Sequence, residues 1–370
     1  MDSIVREVVS RSGVEPRVLE SPTQTAGIGA EDAELERILA SLRTNIKIVG
    51  IGGGGCNTID RLVESGIVGA ELFAANTDAQ HLLIVRSPHK LLLGRRVTRG
   101  LGAGALPQVG EESAREAADE LRSVVQGADM VFITCGLGGG TGTGGAPVLA
   151  QLSKEAGALT IAICTFPFRA EGAIRAENAE YGLEKLRSFA DTVVVIPNDK
   201  LLELVPRLAL NAAFKVADDV LMRAIKGITE VITKPGLVNL DFNDIKTIMK
   251  GGGVAMIGLG ESDRDTRAEE AIEEAINSPL IDVDITGATG ALVNVTGGND
   301  MSVSEAERVA EIVQGRIAPN ARIIWGAAVD PSLEHKLRVM LILTGVRSKQ
   351  IVGRRDPSEE RARVGVDVIR

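Results

Sequence analysis

The sequence predicts an α/β fold: a doubly wound parallel sheet joined by a long central helix to a second, smaller α/β unit. Three observations carry this. Short β-branched runs alternate with helical spacings between about residues 45 and 205, the pattern of parallel strands with crossover helices. Residues 207–233 hold Leu208, Ala212, Val216, Val220, Ile225 and Ile228 at helical spacing with no proline before Pro235. As one helix that stretch is about 27 residues and roughly 40 Å long. A second alternation of strand and helix follows between Val254 and Leu343. The chain therefore divides into an arm with a helix at 1–43, a first sheet domain at 44–206, the central helix at 207–234, a second domain at 235–346 and a flexible tail at 347–370.

In chain order, residues 1 to about 30 mix Ser, Pro, Thr, Gly and charge without periodicity and read as a mobile arm. Leu35, Ile38, Leu39 and Leu42 then recur at helical spacing. Residues 46–51 read as a strand, 52–57 as a glycine-rich loop, and a helix begins at Thr58 with Ile59, Leu62 and Val63 on its apolar face. Residues 72–75 form a second strand running into Asn76 and Asp78, an amide and a carboxylate suited to a ribose or a metal-bound water. A short strand at 90–93 precedes the glycine-rich connection 99–104. Ala114, Ala117, Ala118, Leu121, Val124 and Val125 predict one helix stopped at Gly127. Residues 159–165 and 192–197 are near-continuous apolar runs, the composition of central parallel strands covered on both faces. Gly227 is a candidate kink in the central helix. In the second unit, 254–257, 291–295, 322–325 and 337–343 read as four strands, with helices around Ala271 and Val309 on one face.

Composition excludes several functions. A formal net charge of −9 and 2% aromatic residues leave neither the basic footprint nor the stacking platforms of a nucleic-acid binder. No apolar run reaches the roughly 18 residues of a membrane span, and the polar N-terminus lacks the layout of a secretory signal, so the expected compartment is the cytoplasm without direct membrane insertion. Cys56, Cys135 and Cys164 are too few and too scattered for a disulfide framework or a metal cluster, and read as small buried hydrophobes. No metal ligands are assigned.

The stretch 134–144 has least to do with making a core. It follows the apolar run 130–133 and precedes the helix-compatible 146–150. Strand, glycines and helix start leave backbone N–H groups pointing one way with the positive end of a helix dipole behind them, which is a site for phosphate. Glycine lets the ligand reach the backbone and allows positive φ, and the hydroxyls of Thr141 and Thr143 add donors. No lysine follows, so the spacing differs from that of the common Gly-Lys-Ser/Thr phosphate loop. Taken alone, 50–57 opens a dinucleotide-binding unit, and an NAD-dependent oxidoreductase is the rival it suggests. That rival finds no clean acidic residue at the end of the second strand and no purpose for 134–144.

Five motifs occur in order: Gly50-Ile-Gly-Gly-Gly-Gly-Cys-Asn57, Asn76-Thr-Asp-Ala-Gln80, Arg99-Gly-Leu-Gly-Ala-Gly104, Gly138-Gly-Gly-Thr-Gly-Thr-Gly144 and Asn239-Leu-Asp-Phe-Asn-Asp244. With them, residues from about 44 to 346 resemble the tubulin/FtsZ family of GTPases, its archaeal FtsZ members above all. The resemblance implies GTP or GDP with Mg²⁺ as ligands. It implies nucleotide contacts from Gly53, Gly54, Gly55, Cys56 and Asn57, where Cys56 departs from the usual Gly or Asn, and from Asn76 and Asp78. Gly138, Gly139, Gly140, Thr141, Gly142 and Thr143 are implied to hold phosphates, with Ala103 and Gly104 over the γ-phosphate. Glu171 and Arg175 are implied at the ribose and phosphates, and Asn198, Phe214 and Asp218 at guanine. Chemistry agrees for Asp218: a carboxylate accepts from the ring N–H and amino group of guanine together and mismatches adenine. Without the resemblance, Asp218 beside Asp219 reads first as a solvated helix carboxylate.

Asp241 and Asp244 are spaced i, i+3 and share a face if Phe242 begins a helix. They read either as a helix cap with an acid near the positive helix end or as catalytic acids. Transfer of a phosphoryl group to water needs a group that orients the water, and the glycine loops supply none, so Asn239, Asp241 and Asp244 are the catalytic candidates. If the long helix spans the first domain, they lie roughly 30 Å from Asp218 and can only serve the next molecule of a head-to-tail filament. The resemblance implies the same arrangement in a polymerising GTPase of the mid-cell division ring; a filament protein of cell shape is the alternative within the superfamily. The Arg-rich stretch 347–363 reads as a linker, and residues 364–370 either as a peptide that docks on a membrane-anchoring adaptor or as a plain disordered end.

Overall fold

The computed structural model describes residues 44–346 apart from 205–209, 234–236, 239–240, 279 and 282–284. The arm with its expected helix, the tail and Asn239 lie outside the described residues.

In the first half, strands β1 (Ile46–Ile51), β2 (Ala70–Asn76), β3 (His89–Leu92), β4 (Met130–Gly136), β5 (Leu159–Phe166) and β6 (Thr192–Pro197) alternate with helices α1 (Gly52–Glu64), α2 (Ala79–Ile84), α3 (Pro107–Glu116), α4 (Ala118–Val125), α5 (Thr141–Glu155) and α6 (Ala173–Phe189). Helix α7 (Asn198–Leu204) leads to the central helix α8 (Leu210–Thr233), and α9 (Phe242–Met249) opens the second half. There β7 (Gly253–Ser262), α10 (Arg267–Ile276), β8 (Gly290–Gly297), α11 (Val303–Arg316), β9 (Arg322–Val329) and β10 (Leu337–Thr344) follow.

All ten strands form one sheet in the order β3-β2-β1-β4-β5-β6-β7-β10-β8-β9. The first six pair in parallel, in the doubly wound order that reverses between β1 and β4. The four later strands, read from the sequence as a sheet of their own, continue this one: β6 pairs with β7 in parallel over Thr192–Gly253, Val193–Val254 and Val194–Ala255. Beyond it β10 runs antiparallel to both β7 and β8. Continuous burial along β1, β4 and β5 explains their unbroken apolar sequence, since helices cover both faces.

One core holds α3 to α6 with α10 and α11, and the other holds α1, α8 and α9. Helix α8 is apolar along one side only, so Ala217, Leu221, Ala224, Ile225 and Ile228 are buried. It shares a cluster with Ile161 and Val194, and at Gly227 it meets the second half, where Asn294 Nδ2 donates to Gly227 O at 3.3 Å. Gly227, the expected kink, lies inside an unbroken helix, where a Cβ would fall 2.8 Å from the Met340 thioether. The helix ends against the connection between α1 and β2: Lys226 Nζ donates to Ser65 O at 3.0 Å and Thr233 Oγ1 to Val68 O at 3.4 Å. That connection lies at the N-terminal edge of the sheet, so α8 crosses the sheet's full depth.

Two local readings are corrected, and one helix is added. Helix α1 starts at Gly52 and not at Thr58, so the expected loop is its first turns. The helix expected through Ala114 to Val125 breaks at Ala117 (φ −95°, ψ 19°) into α3 and α4, although the apolar spacing runs on across the break. Helix α6 had no apolar stripe to announce it: of its 17 residues only Ala179, Gly182, Leu183 and Leu186 are buried.

Candidate functional site

A cavity of about 550 Å³ opens at the C-terminal ends of β1 and β4, where the strand order reverses. The N-termini of α1 and α5 both enter it, through Gly53, Gly54 and Asn57 on one and Gly140, Thr141 and Gly142 on the other. Neither helix carries a side-chain N-cap, so first-turn N–H groups of both face the cavity with the two positive dipole ends behind them. This is what an anion with several oxygens requires.

The glycines divide into two groups. A Cβ on Gly53, Gly104 or Gly139 would meet nothing within 4 Å, which leaves room for a ligand against the backbone. A Cβ on Gly140 would fall 2.5 Å from Gly104 O, and one on Gly144 2.0 Å from Pro107 O. Those two let α3 and the 103–104 turn close on α5. Within 134–144 only Gly138 has positive φ, at 99°.

Four of the residues predicted to contact nucleotide are not on the cavity wall: Gly55, Cys56, Gly138 and Thr143. Because residues 52–57 are helical, only one face of them looks outward. Gly55 is pressed against β4, with a Cβ position 2.3 Å from Thr134 O. The Cys56 thiol is buried 3.6 Å from Ala75 O, and burial pushes it up to about 12. Thr143 Oγ1 accepts from the Gly138 N–H at 2.9 Å, which shapes the loop from inside. The Thr141 residue does line the wall, with its hydroxyl 2.6 Å from that of Thr77. Burial raises Cys135 to about 12 and raises Cys164 as well.

The cavity's other end has the chemistry of a base site. Asn198 is buried, and its Oδ1 has no hydrogen-bond partner. Phe214 is 37% exposed and packs edge-to-face on Phe168 at 5.2 Å, leaving aromatic surface toward the cavity. Burial raises the Asp218 carboxyl to about 6, against the pull of Arg61, whose Nε is 3.7 Å away. On the rim, Glu171 accepts from the Phe168 N–H at 2.9 Å and pairs with Arg175 at 2.6 Å. Asn76, Asp78 and Ala103 complete the predicted residues on the wall.

Sequence reading missed two wall-forming contacts. His81 lines the cavity and bridges Asn57 and Asn76. Asn178 Nδ2 donates to Ala105 O at 3.0 Å and to Gly138 O at 3.4 Å, tying the 103–105 turn to the glycine loop. His81 was legible as the N3 residue after the cap Asp78; Asn178 lies on a helix with no apolar signature.

Asp241 and Asp244 are exposed and do not line the cavity. Asp241 caps α9, accepting from the Asn243 N–H at 3.2 Å, and Asp244 lies in its first turn. The far end of α9 touches the N-terminal end of β6, where Thr192 Oγ1 donates to Met249 O. Cavity and acids thus belong to opposite edges of one sheet. The three carboxylates on the wall are engaged: Asp78 caps α2, Glu171 pairs with Arg175, and Asp218 lies at the base end beside Arg61.

A cavity that offers an anion two uncapped helix N-termini at the switch point of a doubly wound sheet, with an aromatic ring, an amide and a carboxylate at its other end, defines a nucleotide-binding protein that uses backbone where other folds use lysine. Comparison with known proteins narrows this. Residues 45–206 match the Tubulin/FtsZ family, GTPase domain, and residues 253–347 the FtsZ family, C-terminal domain. The chain is 57% identical to cell division protein FtsZ 1 of Archaeoglobus fulgidus over 100% of both chains, and 56% identical to cell division protein FtsZ of Haloferax mediterranei over 96% of this chain and 95% of that one. Among solved structures it is similar to the empty FtsZ dimer of M. jannaschii, with a TM-score of 0.82 and 55% identity over 85% of this chain and 92% of that one. The chain belongs to the FtsZ branch of the tubulin/FtsZ family, and it is a GTPase of cell division. The oxidoreductase reading is thereby excluded.

Proposed function

We propose that this chain hydrolyses GTP only at junctions between its own copies, in head-to-tail filaments of a division ring. The observation that carries this is the separation of cavity and acids. From Phe214 at the cavity to Thr233 at the other edge, α8 rises about 28 Å, and Asp241 and Asp244 follow beyond it. On this reading the phosphates rest on the N-termini of α1 and α5 under Ala103 and Gly104, while Phe214, Asn198 and Asp218 take the guanine. Asp241 and Asp244, with Asn239, reach in from the next copy to orient the attacking water. A contact between unlike surfaces does not close on itself and grows an open filament.

Exposed apolar side chains support such a contact. Leu101 (86% exposed), Leu106 and Ile174 are exposed close in sequence to the lining residues Gly102, Gly104 and Arg175, and Leu237 is exposed close in sequence to the acid segment. Among the described residues no group of three His, Cys, Asp or Glu is arranged to hold a metal. Mg²⁺ is accordingly assigned to phosphate oxygens and water, with Asp78 available to its water shell. When bound it neutralises phosphate charge; positioning is left to the chain. Among the described residues no helix is long and apolar enough to cross a membrane. Residues 364–370 are our candidate for docking on a membrane adaptor. Deleting them is expected to leave GTPase activity unchanged and to abolish ring placement in cells; unchanged placement removes the adaptor role.

The test of the shared site is specific activity against protein concentration. It is expected to rise with concentration and fall away on dilution, whereas a flat value over a hundredfold series refutes the reading. Asp244→Ala is expected to bind GTP and assemble but to lose most hydrolysis. Mixed with an assembly-competent variant defective in the cavity, it should recover up to about a quarter of wild-type activity, because one in four random junctions pairs a sound cavity with sound acids.

A further inference from the structure

His81 lies in the first turn of α2, on the cavity wall, and touches amides from two other elements. Its Nε2 is 3.1 Å from Asn57 Oδ1 on α1, and its Nδ1 is 3.2 Å from Asn76 Nδ2 at the end of β2. The orientation of the Asn76 amide is set independently of the ring. Its Oδ1 accepts from the Thr77 N–H at 2.9 Å and from the Asp78 N–H at 3.4 Å, so its NH₂ must face the imidazole. An amide donor opposite Nδ1 makes Nδ1 the acceptor and places the ring proton on Nε2. That Nε2–H then holds the Asn57 amide by its oxygen. The Asn57 NH₂, which has no partner among the described residues, is left to the cavity beside the uncapped N-terminus of α1.

We propose that His81 is a positioning residue for the nucleotide: a one-way series of hydrogen bonds from the Thr77 N–H through Asn76 and His81 holds the Asn57 amide so that its NH₂ donates to a phosphate oxygen. This rests on the reading that the cavity takes a guanine nucleotide. Phosphate is the group chosen because Asn57 stands in the early turns of α1, where anions collect. Without the imidazole no protein group holds the Asn57 amide, so its NH₂ is no longer preorganised and its hydrogen bond to the phosphate is weakened or lost. The α2 cap does not depend on the side chain, because the contact to Asp78 is made by the His81 backbone N–H at 3.0 Å.

The experiment measures GDP affinity, which needs neither assembly nor hydrolysis, in the full chain and in His81→Ala, His81→Gln, Asn57→Ala and the double variant His81→Ala/Asn57→Ala. His81→Ala is expected to weaken GDP about tenfold, the worth of one hydrogen bond to a charged group. His81→Gln, whose amide can still donate to Asn57 Oδ1, is expected to stay within about threefold of the wild type. In the Asn57→Ala background the loss of His81 should have no further effect, because the two act as one unit. Additive losses in the double variant, or equal losses in His81→Ala and His81→Gln, overturn the proposal, since a merely structural ring acts without regard to Asn57. If His81→Ala melts early, His81→Leu repeats the cycle with the ring's bulk kept, and the same criteria apply. A wild-type chain that binds no GDP defeats the nucleotide reading itself, a result distinct from additivity.

Discussion

Replacing Asp218 by asparagine is expected to stabilise the nucleotide-free protein while destroying its preference for guanine. Burial raises the Asp218 carboxyl from 3.8 to about 6, with Arg61 offsetting only part of the cost, and the side chain is 16% exposed. Below about pH 3.8 the group is protonated in the folded and unfolded chain alike. Between that value and about 6 the unfolded chain gives up its proton and the folded chain keeps it, so folding stability falls as pH rises. Above pH 6 the whole difference is present, about 3 kcal/mol at roughly 1.4 kcal/mol per pH unit. Asp218→Asn removes the ionisable group at nearly constant shape, so its apoprotein should melt roughly 5 °C higher at neutral pH, with the gap closing toward pH 4. Guanine reverses the sign. Its ring N–H and amino group both donate, which suits a carboxylate and leaves one donor of an asparagine amide facing a donor. The variant should therefore lose GTP affinity by at least about a hundredfold. In the wild type, affinity should fall with acidity below about pH 6, because the carboxyl must release its proton to accept both bonds. Thermal melting of both apoproteins from about pH 4 to 8, with GDP titrations at each pH, tests the chain of reasoning. Identical melting profiles, or a variant that keeps guanine affinity, refute it.

Gly144→Ala places a methyl 2.0 Å from Pro107 O and 2.5 Å from Glu111 N, both backbone, so α3 must move away from α5. A loss on the order of 3 kcal/mol is expected in urea unfolding, and a loss below about 1 kcal/mol contradicts the close packing described. The thiols of Cys56 and Cys135, raised from 9.0 to about 12 by burial, should react with alkylating reagents about a thousandfold more slowly than free cysteine near pH 8 and at ordinary rates once the chain is unfolded. Prompt labelling of the folded protein overturns their burial.

Strands were the most legible part of this chain. Parallel strands buried on both faces must be apolar throughout, and residues 46–51, 159–165 and 192–197 say so without help from context. The start of α1 was not legible, because four consecutive glycines have a poor intrinsic preference for helix. Packing overrides that preference: α1 lies so close to β1 and β4 that Gly55 has no room for a side chain. The break at Ala117 was hidden for the opposite reason, since Ala114, Ala117, Ala118 and Leu121 keep helical spacing through it.

By itself the sequence offered glycine-rich loops ahead of helices as a place for phosphate, a carboxylate at Asp218 whose acceptors would suit guanine, and two acids at i, i+3 far along the chain. Those are properties of residue type and spacing, which short-range stereochemistry converts directly into local structure. Only the tertiary structure decided that the second unit extends the first sheet through three residues of β6 and β7, that Thr143 faces inward, and that His81 and Asn178 join loops distant in sequence. It also decided that the acids lie at the sheet edge away from the cavity, because a helix covering the full depth of a sheet must deliver the chain to its opposite side.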